Sequence, residues 1–329
     1  SLNSRRIATG IPSPIGIDML HQASGRWKLG LLLALVTAAC WATLPVALKM
    51  SLSVLDPMTL TWFRFAFAAV FMGLWLLGKR RMSAFGALQP KQWRWLLLAT
   101  VLLIGNYIGY LLGVKYTSPG NAQLLIQLAP LLMALGGVFI FRERFVWGQW
   151  LGLLIIVLGL GLFFRDQFAG GLVTGHNYLL GSAIVGAAAL SWAAYALMQK
   201  QLLLKLSSQH ILAVIYLFSA LLLWPFAHPS TLADLDALHW ALLLYCALNT
   251  LVAYGAFAEA LEHWQASRVS AVLATTPMLC LGVVALVHAF WPEAVASEYV
   301  GLLGFVGAVL VVVGSALSSL LGQNPEEKA

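Results

Sequence analysis

Acidic residues are few in this sequence. Only 12 of 329 residues are Asp or Glu, and each lies in a tail, a loop or the end of an apolar run. Glu259 comes nearest to an apolar interior, in the last turns of its run. Carriers coupled to protons or metal cations usually keep a carboxylate buried in the membrane. Cation-coupled antiport and the movement of cationic drugs are therefore disfavoured. Cysteine is scarcer still. Cys40, Cys246 and Cys280 fall inside apolar runs, far from one another and with no CxxC. That excludes a disulfide framework and a thiolate metal site. Catalytic signatures are missing too: there is no HExxH, no G-x-S-x-G and no P-loop. Neither an enzyme nor a cofactor or metal is expected.

What fills the chain is apolar sequence. It is 61% hydrophobic and 9% charged, with mean hydropathy +0.86. Runs of about 20 apolar residues, the length that crosses the hydrocarbon core as a helix, recur from end to end. They lack the alternation of a membrane barrel, and in lipid each backbone group must be satisfied within its own element. The fold class is an all-α polytopic membrane protein with the lipid bilayer as its surroundings. Ten transmembrane helices are expected: Trp27–Lys49, Asp56–Gly78, Gln92–Val114, Pro119–Phe141, Val146–Phe164, Asn177–Leu203, Ser208–Ala227, Leu238–Leu261, Ser267–Phe290 and Ser297–Leu321. Connections are short and leave no room for a soluble domain.

The net charge of +7 would hint at nucleic acid in a soluble protein. Here the basic residues sit in short loops, so topology explains them and no nucleic-acid partner is expected. With ten spans, the side of the two tails carries fifteen of the 19 Lys and Arg residues, including Lys79, Arg80 and Arg81. The other side carries Lys49, Lys115 and Arg165, and Arg64 lies within the second span. This bias sets both termini in the cytoplasm, with the bacterial inner membrane as location. Tryptophans such as Trp27, Trp93, Trp147 and Trp264 mark span ends as an interface belt, whereas Trp41 and Trp192 lie mid-span. Residues 1–26 read as a flexible basic tail with Met19 as an alternative start, and residues 322–329 as a C-terminal tail.

The two halves echo each other. CWATLPVALK (40–49) aligns with SWAAYALMQK (191–200), matching Trp41 to Trp192. NAQLLIQLAPLL (121–132) aligns with RVSAVLATTPML (268–279), matching Pro130 to Pro277. WLGLLIIVLGLGL (150–162) aligns with YVGLLGFVGAVLV (299–311). Each repeat, 27–165 and 177–321, holds five spans. Five is odd, so the second copy is inverted. Secondary transporters recurrently use this plan, with substrate bound between the halves near the midplane. A duplicated scaffold without transport is the alternative.

Polar residues inside the spans point to a small-molecule site. Gln123, Gln127 and Pro130 share a helical stripe that Ala134 and Gly137 continue. Such a stripe faces either another helix or a cavity. Pro130 and Pro277 should each bend a helix and leave a carbonyl free at that depth. Comparable stripes carry Trp41; Asn106, Tyr107 and Tyr110; Trp192, Tyr195 and Gln199; and Asn249 with Tyr254. Aromatics beside amides suit a pocket that stacks an apolar group and hydrogen-bonds a polar one, although core packing explains any one of them. Arg64 has no acid placed mid-span to neutralise it. It binds a substrate carboxylate, holds carbonyls at a helix end or snorkels outward. The glycines of the fifth and tenth spans form scaffold or homodimer faces.

These stretches resemble a known family. WFRFAFAA (62–69), YTSPGNAQLLIQLAPLLMAL (116–135) with FRERF (141–145), and ALNTLVAYGAFAEALEHWQASRVSAVLATTPML (247–279) resemble the drug/metabolite transporter superfamily, in particular its EamA-like branch. The resemblance implies a central cavity lined by spans one to four and six to nine. It implies a structural role for Glu143 and, as its repeat mate, Glu293. It also implies export of amino acids or related metabolites. A passive facilitator is the alternative function, and a membrane enzyme is less favoured.

Overall fold

The computed structural model describes residues 24–79, 85–86, 88–142, 146–169, 176–295 and 300–320, and every regular element among them is helical. The order is α1 (Trp27–Ser51), α2 (Pro57–Gly78), α3 (Pro90–Tyr116), α4 (Pro119–Leu125), α5 (Leu128–Phe141), α6 (Trp147–Ala169), α7 (His176–Leu202), α8 (Ser208–Leu223), α9 (Ala237–His263), α10 (Ala266–Leu273), α11 (Thr276–Phe290) and α12 (Leu302–Leu320). Two short 3-10 turns separate α8 from α9. Eight helical segments are long and apolar enough to cross a membrane, with α10 and α11 counted together, and α12 adds the shorter stretch Leu302–Gly314. Residues 1–23 and 321–329 and Glu143 lie outside the described residues.

Local chemistry sets the helix starts. Asp56 accepts from the Met58 and Thr59 N–H groups at 2.9 and 3.0 Å, with Pro57 at the first helical position. Ser118 before Pro119 accepts from Asn121 N–H at 3.2 Å. Gln89 and Gln92 form a capping box ahead of α3. Each cap satisfies donors that the first turn would otherwise leave unmet.

Two expected spans are broken rather than bent. Pro119–Phe141 divides into α4 and α5, and Ser267–Phe290 into α10 and α11. Pro130 has no N–H for the Ile126 carbonyl. The Ala129 N–H takes that carbonyl at 2.8 Å, and Gln127 N–H closes on Leu124 at 3.0 Å. These tight three-residue steps end the regular helix. In the other half the Thr276 hydroxyl takes the Leu273 carbonyl at 2.5 Å. The expected free carbonyls are therefore not there, because each has found a donor one residue closer than usual. The side chains of Pro130 and Ala134 lie outside the described residues.

The helices pair across the halves. Contacts between the halves include α1 with α9, α3 with α7, α2 with α8, α6 with α12, α4 with α11 and α5 with α10. Exchanging the halves turns the first pair into the second and returns each remaining pair, or the α4–α5 set as a whole, to itself. The glycine faces of α6 and α12 meet within one chain. A Cβ on Gly159 would lie 2.5 Å from the Gly307 carbonyl oxygen, and a Cβ on Gly307 the same distance from that of Gly159.

Candidate substrate site

A cavity of about 80 Å³ lies between α1, α2, α3, α4, α5, α7 and α9. It occupies the half of the bundle where α1 and α3 end and α2 and α4 begin. At about 10–15 Å³ per water centre, that is room for about half a dozen waters or a small solute. Nine residues expected at a site line it: Trp41, Arg64, Asn106, Tyr107, Tyr110, Gln123, Gln127, Trp192 and Tyr254. They come from six separate chain segments, so the fold alone brings them together. The lining also includes Leu44, Leu111, Ile126 and Ala129, which sequence reasoning missed because apolar residues carry no signal in an apolar chain.

Aromatic rings form one wall and the floor. Trp41 packs edge-on against Trp192 at 5.5 Å and against Tyr254 at 5.3 Å, with Phe257 behind both tryptophans. Tyr107 lies 5.4 Å from Tyr254 and 4.5 Å from Phe65. Each such pair contributes about 0.5–1.5 kcal/mol beyond area burial, so the floor is a firm seal on the side of the chain termini.

Matched positions meet on this floor. Trp41 and Trp192 are partners in the sequence alignment, and they touch. The interval between Pro130 and Pro277 also separates Tyr107 from Tyr254, and these touch as well. The interval between Trp41 and Trp192 also separates Phe65 from Tyr216, whose rings lie 6.1 Å apart. It separates Gly30 from Gly181 too. A Cβ on Gly30 would crowd Trp264, the residue ending α9, and a Cβ on Gly181 would crowd Tyr116 and Thr117, which end α3.

The polar side chains differ in what they are free to do. Tyr110 donates to Gln123 Oε1 at 2.6 Å. Asn106 donates to the Ala188 carbonyl at 3.0 Å and so ties α3 to α7. Arg64 is 2% exposed. Its Nε donates to the Thr250 hydroxyl at 2.9 Å, and its guanidinium lies over the Tyr107 ring at 4.5 Å. Among the described residues no carboxylate pairs with it. Thr250 is a partner the sequence hid, one place after Asn249. Gln127 is buried, and its Oε1 has no partner.

Three expected site residues lie off the cavity. Tyr195 and Gln199 are fully buried and bond to each other at 2.7 Å. Asn249 donates to the Cys40 carbonyl at 2.8 Å, across the α1–α9 contact. Asn249 thus ties α9 to α1, whereas the Tyr195–Gln199 bond lies within α7. Glu259 also lies apart, at a second cavity between α2, α8 and α9, where it accepts from the Ser208 hydroxyl. No group of three or more His, Cys, Asp or Glu residues that could hold a metal ion occurs among the described residues.

Comparison with known proteins gives this geometry a context. The pattern of the EamA-like transporter family matches residues 28–165 and again 179–320. The chain is 38% identical over 295 residues to the "Uncharacterized inner membrane transporter YhbE" of Escherichia coli K12, covering 89% of this chain and 91% of that one. An "Uncharacterized transporter" of Haemophilus influenzae is 36% identical over 294 residues, covering 89% and 95%. A "Probable amino-acid metabolite efflux pump" of Escherichia coli K12 is 25% identical over 300 residues, covering 86% and 92%. One solved crystal structure superposes with TM-score 0.67 at 19% identity, over 90% of this chain and 99% of that one, a likeness of fold alone.

Proposed function

Because the chain belongs to the EamA-like transporter family, we propose that it is a secondary transporter that exports amino acids or related small metabolites by alternating access around the central cavity. The membrane is the bacterial cytoplasmic membrane, with both termini inside. The fold is ten spans in two inverted five-helix repeats, α4–α5 and α10–α11 each counting as one broken span. The observation that carries this reading is the set of matched pairs, Trp41 with Trp192 and Tyr107 with Tyr254, that touch at the floor of the cavity. A two-fold axis between inverted repeats runs through such pairs, and rocking one half against the other would move the seal from one side of the cavity to the other. The helix pairing supports the same reading, since exchange of halves leaves it unchanged. The name of one distant relative, an amino-acid metabolite efflux pump, supports the substrate class.

The test is substrate counterflow with purified protein in proteoliposomes, using a panel of labelled amino acids. At least one should accumulate, and Gln127→Ala should weaken its accumulation severalfold, because Gln127 lines the cavity and its buried Oε1 has no partner. Flux without counterflow would favour a passive facilitator and overturn alternating access.

A further inference from the structure

We propose that the cavity selects solutes that carry one carboxylate and an N–H donor, with the carboxylate against Arg64 and the donor against Gln127. The proposal deepens the transporter reading and rests on it for the ligand being cargo.

The charge balance of the cavity comes first. Arg64 brings a fixed positive charge into a wall that, among the described residues, contains no Asp or Glu. Thr250 occupies its Nε, and the Tyr107 ring supports its face. A guanidinium has five N–H donors in a planar fork, and a carboxylate matches that fork with two parallel bonds. A cation buried without an anion is costly. An anion entering the cavity removes that cost, so binding energy goes to solutes with a negative group.

The second observation is the unused acceptor. Gln123 is satisfied by Tyr110, whereas Gln127 Oε1 is buried and has no partner. A buried acceptor left unmet carries a desolvation penalty. An ammonium or amide N–H on the solute removes it, and no acid is needed to hold that end.

The third is a control built into the fold. The intervals that match Trp41 to Trp192 and Pro130 to Pro277 match Arg64 to Ile215, Gln123 to Ser270 and Gln127 to Ala274. Ile215 is fully buried, as Arg64 nearly is. The same positions in equivalent packing are thus occupied without charge or amide. Burial at these positions therefore does not require a charge or an amide, and Arg64 and the glutamines occur in the half that supplies most of the cavity wall.

Tryptophan fluorescence of the purified full-length protein tests this, since Trp41 and Trp192 line the cavity. The probes are L-alanine, L-threonine, L-leucine and L-phenylalanine, the carboxamide of each, 4-methylpentanoate as a carboxylate without the amine, and chloride. At least one amino acid should bind about ten- to a hundredfold more tightly than its carboxamide, the worth of a charge-assisted hydrogen bond. Arg64→Gln should erase that preference. Gln127→Leu should bring leucine down to the level of 4-methylpentanoate if leucine is the ligand. The acid–amide comparison on the unmodified protein stands even if Arg64→Gln fails to fold. Equal binding of acid and amide throughout, binding of no amino acid, or a response to chloride alone would overturn the proposal. Counterflow without acid–amide discrimination would sink this proposal and spare the transporter reading. Acid-selective binding without counterflow would do the reverse.

Discussion

Replacing Gly159 by alanine tests how the two halves are clamped together. The new Cβ would sit 2.5 Å from the Gly307 carbonyl oxygen, 2.9 Å from the Val311 nitrogen and 3.0 Å from the Leu310 Cβ. Ordinary contact begins near 3.4 Å, and two of these neighbours are backbone that no rotamer can move aside. The helices must part by nearly an ångström. A gap of that size forfeits a quarter to a half of each dispersion contact along the seam. With roughly 20–30 atom pairs at about 0.1–0.2 kcal/mol each, the loss is about 1–2 kcal/mol. Local overpacking adds about 1 kcal/mol or more. Alanine's better helix propensity returns about 1 kcal/mol, so the net cost is about 1–2 kcal/mol. Gly282 and Gly255 have nothing within 4 Å of an added Cβ, so alanine there should be neutral or stabilising. The assay is thermal unfolding in detergent followed by tryptophan fluorescence, with the four proteins side by side. Gly159→Ala should unfold several degrees below the parent, and the two control variants at or above it. A Gly159→Ala midpoint equal to that of Gly282→Ala would refute the α6–α12 clamp.

Two further outcomes follow from the acids. Burial works to raise the Asp56 carboxyl, but hydrogen bonds from Thr59 and Met58 and the charge of His228 outweigh it and hold the carboxyl below its ordinary value. Asp56 therefore stabilises the start of α2 above the ordinary carboxylate range of about 4, and this stability is lost as pH falls through the lower folded value. Unfolding midpoints measured from pH 6 to pH 3 should drop, and Asp56→Asn, which still caps, should flatten the drop. Glu259 lies outside the central cavity. Glu259→Gln should leave counterflow within about twofold of the parent at every pH tested. Abolished transport would mean that this carboxylate is part of the cycle.

Most helices were legible because their cause is local. An apolar run flanked by Asp56–Pro57 or Ser118–Pro119 carries both its interior and its cap in the chain itself. The breaks in α4–α5 and α10–α11 were half legible. Pro130 and Pro277 announced a disturbance. Whether a proline-released carbonyl stays free depends on which donor swings in, and the Ala129 N–H and Thr276 hydroxyl became those donors through backbone geometry that composition does not encode. The glycines of α6 and α12 announced a close approach, but not that each helix would be the other's partner.

The site shows the same division between face and depth. A polar stripe names the face of a helix that avoids lipid, and for Gln123, Gln127, Asn106 and Tyr110 that face turned out to be the cavity. For Tyr195, Gln199 and Asn249 the same rule held, yet these side chains lie in packed protein off the cavity. Tyr195 spends its hydroxyl on Gln199 one turn away, and Asn249 spends its amide on the α1 backbone. Periodicity cannot separate these cases, because a helix partner and a solute both satisfy a buried amide. The matched positions can. One half carries Arg64 and Gln127 where the other carries Ile215 and Ala274, which are buried as well, so burial at these positions does not by itself require the extra polarity. A duplicated chain thus holds its own reference state, and the positions where the copies disagree in polarity are the ones the proposed site draws on.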